Sequence, residues 1–241
     1  MNTVVIKNKE VKMNEKKFFS KNLIVLLVAV VALMAFNQYQ LSSLSGLAVA
    51  TTSFQGDGKD LSILDVSQLK STGHTLAAVF PVEDIKSTQD AINMLVPKGT
   101  PEYGNDLGVS FDDPVSSLSK LAQMYRPLKA EVQKSNPDAW NRFMNLASKP
   151  VGISCEFCCG LNAVGIDKNG NSMCGCQHNP ALLSVALYLT AYTDYSDAEI
   201  LREVMRWKTL FFPKNMVELG MTVAGGDTSA LKDLPGMVGG C

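Results

Sequence analysis

The chain has 241 residues, of which 46% are hydrophobic and 19% charged, and its formal net charge is −1. That length suits one or two domains, and the near-neutral balance gives no electrostatic footprint for nucleic acid. The charge is uneven: residues 1–22 carry six lysines against two glutamates, net +4, and the remainder carries 16 basic and 21 acidic residues, net −5.

The basic head precedes an apolar run, residues 23–36 (LIVLLVAVVALMAF). With Lys21 snorkelling at one edge and Tyr39 at the other, residues 23–42 approach the ~20 needed to span a bilayer. The expectation is an uncleaved transmembrane signal anchor at the cell membrane. The positive-inside rule puts residues 1–22 in the cytoplasm and the C-terminal part outside. A cleaved signal peptide is the alternative, with Ala48-Val49-Ala50 as the site, although it lies far from the apolar run.

Residues 43–112 read as a linker and a small mixed lead-in. Residues 61–66 suit a short strand or a turn of helix. Residues 73–82 (GHTLAAVFPV) read as a strand, and residues 89–95 as a helix ended by Pro97. A loop then runs over 98–113, with room for a short strand at 108–111. His74, the only histidine outside the cysteine-rich stretch, reads as an ordinary loop histidine.

Residues 113–223 form the expected helical domain. Pro114 opens a helix to about Lys134, with Asp112 or Asp113 as cap and Pro127 as a kink or break. Ser135 or Asn136 caps a second helix begun by Pro137. Residues 181–193 are apolar nearly all round and predict a buried helix. Ser196 and Glu199 form a capping box for the next, which carries Ile200, Leu201, Val204, Met205 and Trp207 on one stripe. Pro213 stops it, a short helix follows at 216–221, and residues 224–241 read as a flexible tail ending in Cys241.

Five of the six cysteines and one of the two histidines fall within residues 155–178. Disulfide scaffolds spread their cysteines, whereas metal sites take them in close pairs. Cys155-x-x-Cys158 predicts a tight turn presenting two sulfurs to one point, with Cys159 and Gly160 behind it. A β-hairpin is expected next, with strands at 162–167 and 171–173 around a Lys168-Asn169-Gly170 turn. It would deliver Cys174 and Cys176, with His178 opening a helix whose N-terminus favours thiolates. The expected fold is therefore mainly α (α+β), with a hairpin carrying a treble-clef-like Cys/His site.

The candidate metal ligands are Cys155, Cys158, Cys159, Cys174, Cys176 and His178, with Cys241 as a possible extra thiol. Zinc fits this donor set first. An iron–sulfur cluster, Cu(I), a set of disulfides and a dithiol centre all stay open. Cys159 breaks the C-x-x-C-H pattern of c-type haem. Residues 167–171 lack the glycine and glutamate of a calcium loop. No Ser/His/Asp arrangement points to a hydrolase.

The run I-S-C-E-F-C-C-G, then D-K-N-G-N-S-M-C-G-C-Q-H and W-K-T-L-F-F-P, resembles a group of membrane-anchored prokaryotic, archaeal-type proteins with a CE[FY]CCG…CGCxH cluster. The likeness covers residues 152–213, more weakly 103–113, and implies no activity. A fainter likeness is to bacterial lipoproteins with a P-C-Y-C-G-C motif, where Ser154 here replaces the proline. The expected function is thus a membrane-anchored, extracytoplasmic metal-binding protein with a structural zinc site. The alternative is a metal-handling or thiol-redox protein that uses Cys159 and Cys241.

Overall fold

The computed structural model describes residues 60–158, 163–225, 234–235 and 237–239, all within one compact unit. Eight α-helices occur among them: α1 Thr72–Val79, α2 Thr88–Leu95, α3 Gly104–Leu107, α4 Pro114–Ser135, α5 Pro137–Ala147, α6 His178–Tyr192, α7 Asp197–Phe211 and α8 Pro213–Val223. Short 3-10 turns lie at Leu61–Ile63 and Val82–Asp84.

Helix α6 is the centre of the fold. It packs against α4, α5 and α7, and α1, α2 and α8 close the far side. Its Leu182, Leu183, Val185, Leu187 and Leu189 are all fully buried or nearly so. At about 1.5–3 kcal/mol for each large apolar side chain, this one helix contributes on the order of 10 kcal/mol of burial before entropy is counted.

Local chemistry sets the helix boundaries. Asp113 and Asn136 accept hydrogen bonds from Ser116 N and Ala139 N, each with a proline at the first turn. The Ser196/Glu199 capping box is formed on both sides. Helix α4 continues through Pro127, which neither breaks it nor divides it in two.

Residues 73–82 are not a strand. Ser71 takes the amide of His74 as an N-cap, and α1 follows. A short apolar run bounded by a capping serine has no period that separates strand from helix. The expected strand at 108–111 is also absent, because Gly108 turns the chain at φ +63° and Ser110 accepts the Asp112 amide.

The α+β expectation with its treble-clef-like hairpin is corrected. Among the described residues there is no strand, only an isolated antiparallel bridge between Ile166 and Ser172. The turn itself is as expected in place: Asp167 N donates to Asn171 O at 2.9 Å, and Met173 N donates to Gly165 O at 2.9 Å. The ladder stops there because side chains take over the backbone groups around it. Gly165 N donates to Ser154 Oγ instead of across the bridge, and Gly165 O accepts from Asn179 Nδ2 as well as from Met173 N.

The expected location is corrected as well. No helix among the described residues is long and apolar enough to cross a membrane. The apolar α6 has 15 residues, about 22 Å at 1.5 Å per residue against a hydrocarbon core of about 30 Å. The longer α4 carries lysine, arginine and glutamate along its length. Residues 23–42, on which the single-pass cell-membrane reading rested, lie outside the described residues.

Candidate metal centre

Two segments converge on one point. The first is the loop after α5, which brings Cys155 and Cys158. The second is the stretch leading into α6, which brings Cys176 and His178. The four donor atoms all lie within 4.8 Å of one another. Cys155 Sγ and Cys158 Sγ are 3.2 Å apart, Cys158 Sγ and Cys176 Sγ 3.5 Å, and Cys158 Sγ and His178 Nδ1 4.0 Å. Metal–sulfur bonds of about 2.3 Å in a tetrahedron imply edges of about 3.8 Å, so the spread is that of ligands around a single ion. This Cys3His cluster can bind a metal.

The histidine is oriented for it. His178 Nε2 lies 2.8 Å from the carbonyl oxygen of Val238, which can only accept, so Nε2 carries the proton. Nδ1 is then the free lone pair, and it is the nitrogen that faces the sulfurs. The ring is wedged between Phe211 and Phe212, with centroids 5.7 and 4.7 Å away. Val238 is held in turn, since its amide donates to Phe211 O at 2.8 Å. The stretch expected to be a loose tail thus contributes a carbonyl to the site.

Asn179 fixes the loop against the helix. It is fully buried, accepts from Cys155 N at 3.2 Å and donates to Gly165 O at 2.8 Å and Ser172 Oγ at 2.7 Å. A Cβ on Gly165 would come within 2.6 Å of its Oδ1. A glycine is therefore what lets the bridge lie close to the helix start.

Burial and crowding move the protons of the cluster. Cys155 is hydrogen-bonded to Cys176 and desolvated, and both effects raise its pKa. The same Cys155 hydrogen bond draws Cys176 well down, with His178 and the Asn179 amide helping. Burial pushes His178 down, but its contacts with Cys176 and Val238 outweigh this and raise it.

A buried cation stands beside the CxxC loop. Lys208 of α7 is 0% exposed, and its Nζ is 3.4 Å from Glu156 Oε2. Thr72 Oγ1 donates to the same carboxylate oxygen. The ammonium lies 5.8 Å from the centroid of the Phe157 ring. Burial lowers the Lys208 pKa, while Glu156 and Cys155 pull it back up.

Four of the six proposed ligands are thus brought together. Cys174 is disulfide-bonded, and its sulfur sits 3.2 Å from Cys176 Sγ. Cys159 and Cys241 lie outside the described residues. His74 is in α1, outside the four-donor group, with its Nδ1 buried and without a hydrogen bond among the described residues. Cys174 and Cys176 face a groove of about 890 Å³ whose far wall is α4, with Arg126 and Lys129.

Sequence reasoning missed Asn179, Glu156, Lys208 and Val238. Lys208 did leave a signal, since it falls seven residues after Leu201 and four after Val204, on the apolar stripe of α7. Val238 left none.

Comparison with protein-family models, with curated proteins and with solved structures finds no match for the chain. The functional reading therefore rests on the geometry.

Proposed function

We propose that this chain is a metal-binding protein in which Cys155, Cys158, Cys176 and His178 hold one zinc ion as a structural cross-link. The ion would tie the CxxC loop to the start of α6. The observation that carries this reading is the convergence of four donor atoms within 4.8 Å, one of them a histidine nitrogen freed by its partner's hydrogen bond to Val238. Four protein ligands close the coordination shell, which suits a structural rather than a catalytic zinc. The donor spread argues against an iron–sulfur cluster, whose ligands bind different irons and stand apart by the width of the cluster.

The test is elemental analysis of anaerobically purified full-length protein, with a free-thiol count alongside. The reading expects one zinc per chain, and chelation that lowers the melting temperature. Metal-free protein with the three cluster thiols freely reactive would refute it.

One observation favours a second reading, a thiol–disulfide centre. The Cys176 sulfur, drawn toward the thiolate, is 3.2 Å from the disulfide-bonded sulfur of Cys174. Attack would form a Cys174–Cys176 bond, break the existing bond to Cys174 and release its former partner as a thiolate, with no net oxidation. Cys159 and Cys241 are the candidate working thiols. Metal-free protein that exchanges its disulfide rapidly with a small dithiol would favour this reading over zinc.

A further inference from the structure

We propose that Lys208 is a charge-compensating residue of the metal centre, a fixed cation that sustains the anionic Cys3His site. This deepens the metal-binding reading and rests on it.

Charge bookkeeping motivates the assignment. Three thiolates and a neutral imidazole around a divalent ion leave a net charge of −1. Glu156 sits between the ligands Cys155 and Cys158 and adds a second negative charge; its side chain is only 19% exposed. Lys208 Nζ, fully buried, is 3.4 Å from the Glu156 carboxylate. The ammonium thus stands against the carboxylate carried by the loop that holds Cys155 and Cys158, and Cys155 as well as Glu156 favours its charged form.

The fold alone gives little reason for the arrangement. A buried ion pair is commonly no more stabilising than apolar side chains of the same volume. Here the lysine occupies an apolar stripe of α7, between Val204 and Phe211, where methionine would fill the space at no desolvation cost. The Thr72–Glu156–Lys208 chain also joins α1 and α7 to the loop that carries two ligands. Partners of this kind, which hold and polarise metal ligands from outside, typically change metal affinity by about 10–100-fold when removed. The same balance selects for charge: a monovalent ion on these donors would leave one more negative charge unmatched.

The test compares zinc affinity, by competition with a chromophoric chelator, in full-length wild type, Lys208→Gln and the double variant Lys208→Met/Glu156→Gln. Lys208→Gln keeps a donor for Glu156 but removes the charge. The double variant removes both members of the pair, so no lone charge is left buried. Melting of the metal-free proteins reports on the fold separately. The proposal expects Lys208→Gln to bind zinc about 10–100-fold more weakly, and the double variant, which removes one charge of each sign, to recover most of that loss. Wild-type affinity in folded Lys208→Gln, or a double variant that folds and binds as weakly as Lys208→Gln, would overturn the role of Lys208. If the double variant does not fold, Lys208→Gln decides. Failure of the wild type itself to bind zinc would instead refute the metal-binding reading.

Discussion

His178 and Val238 are joined by a hydrogen bond of 2.8 Å across 60 residues of sequence, from the imidazole Nε2 to a backbone carbonyl. That one contact sets the tautomer of a metal ligand and anchors a segment near the C-terminus. Replacing the residue that carries this carbonyl tests the link. Val238→Pro removes the amide that donates to Phe211 O and displaces the carbonyl from His178. Metal affinity should fall about 10–100-fold, while the helical content of the full chain stays the same. Zinc titration followed by circular dichroism checks both.

Asn179 makes the second prediction. Asn179→Ala removes the acceptor of the Cys155 amide; Gly165 O and Ser172 Oγ each lose one bond but keep the Met173 amide and the Cys174 backbone. An unsatisfied buried group costs about 1–3 kcal/mol, so a loss of that size is expected in urea denaturation. Zinc should recover part of it, because the ion ties the same two segments together.

Gly170 makes a third. Its φ is +73°, and an added Cβ would stand 2.2 Å from the Trp140 ring. The left-handed backbone costs a non-glycine residue about 1–2 kcal/mol, and overpacking adds about 1–3. Gly170→Ala should therefore lower stability by at least about 2 kcal/mol. Tyr125 OH also donates to Gly170 O at 2.7 Å, so the turn that aims Cys174 and Cys176 should loosen with it. Thermal melting and the reactivity of the cysteines measure the two effects.

The fourth prediction concerns pH. Thiolates and a neutral imidazole bind the ion, so metal binding holds the pKa values of these ligands below those of the unfolded chain. A depressed pKa gives stability that is present above the unfolded value and lost as pH falls through the folded one. The zinc-loaded protein should therefore lose its extra thermal stability on acidification, with release of metal. Metal-free protein should show no metal release and only the weaker acid dependence that the lowered Cys176 pKa brings. Melting curves with and without a chelator across pH 4–8 would show it, the range being about that over which such ligands take up protons.

The helices were the legible part of the sequence. Pro114, Asn136-Pro137 and the Ser196/Glu199 box are local signals, and each marks a helix start. The 73–82 run was misread because its apolar residues are continuous and the decisive feature was a single cap, Ser71. The hairpin was misread for a different reason. Its turn is encoded locally by Asp167, Asn169 and Asn171, but Ser154 claims the Gly165 amide that a ladder would have used.

The cysteine spacing identified the cluster and not its membership. Nothing in C-G-C separates Cys174 from Cys176. In space one sulfur is in a disulfide and the other faces Cys158. The partners that orient the ligands are long-range: Lys208 lies 52 residues from Glu156, and Val238 lies 60 from His178. Contacts of that kind are set by how α6, α7 and the C-terminal segment pack, which periodicity does not encode.

The central claim is a mononuclear site of three sulfurs and one imidazole nitrogen. X-ray absorption at the zinc edge of the zinc-loaded full-length protein tests it most directly. The account predicts three sulfurs at about 2.3 Å and one nitrogen at about 2.0–2.1 Å. A shell of nitrogen and oxygen alone, or of four sulfurs with no imidazole, would contradict it.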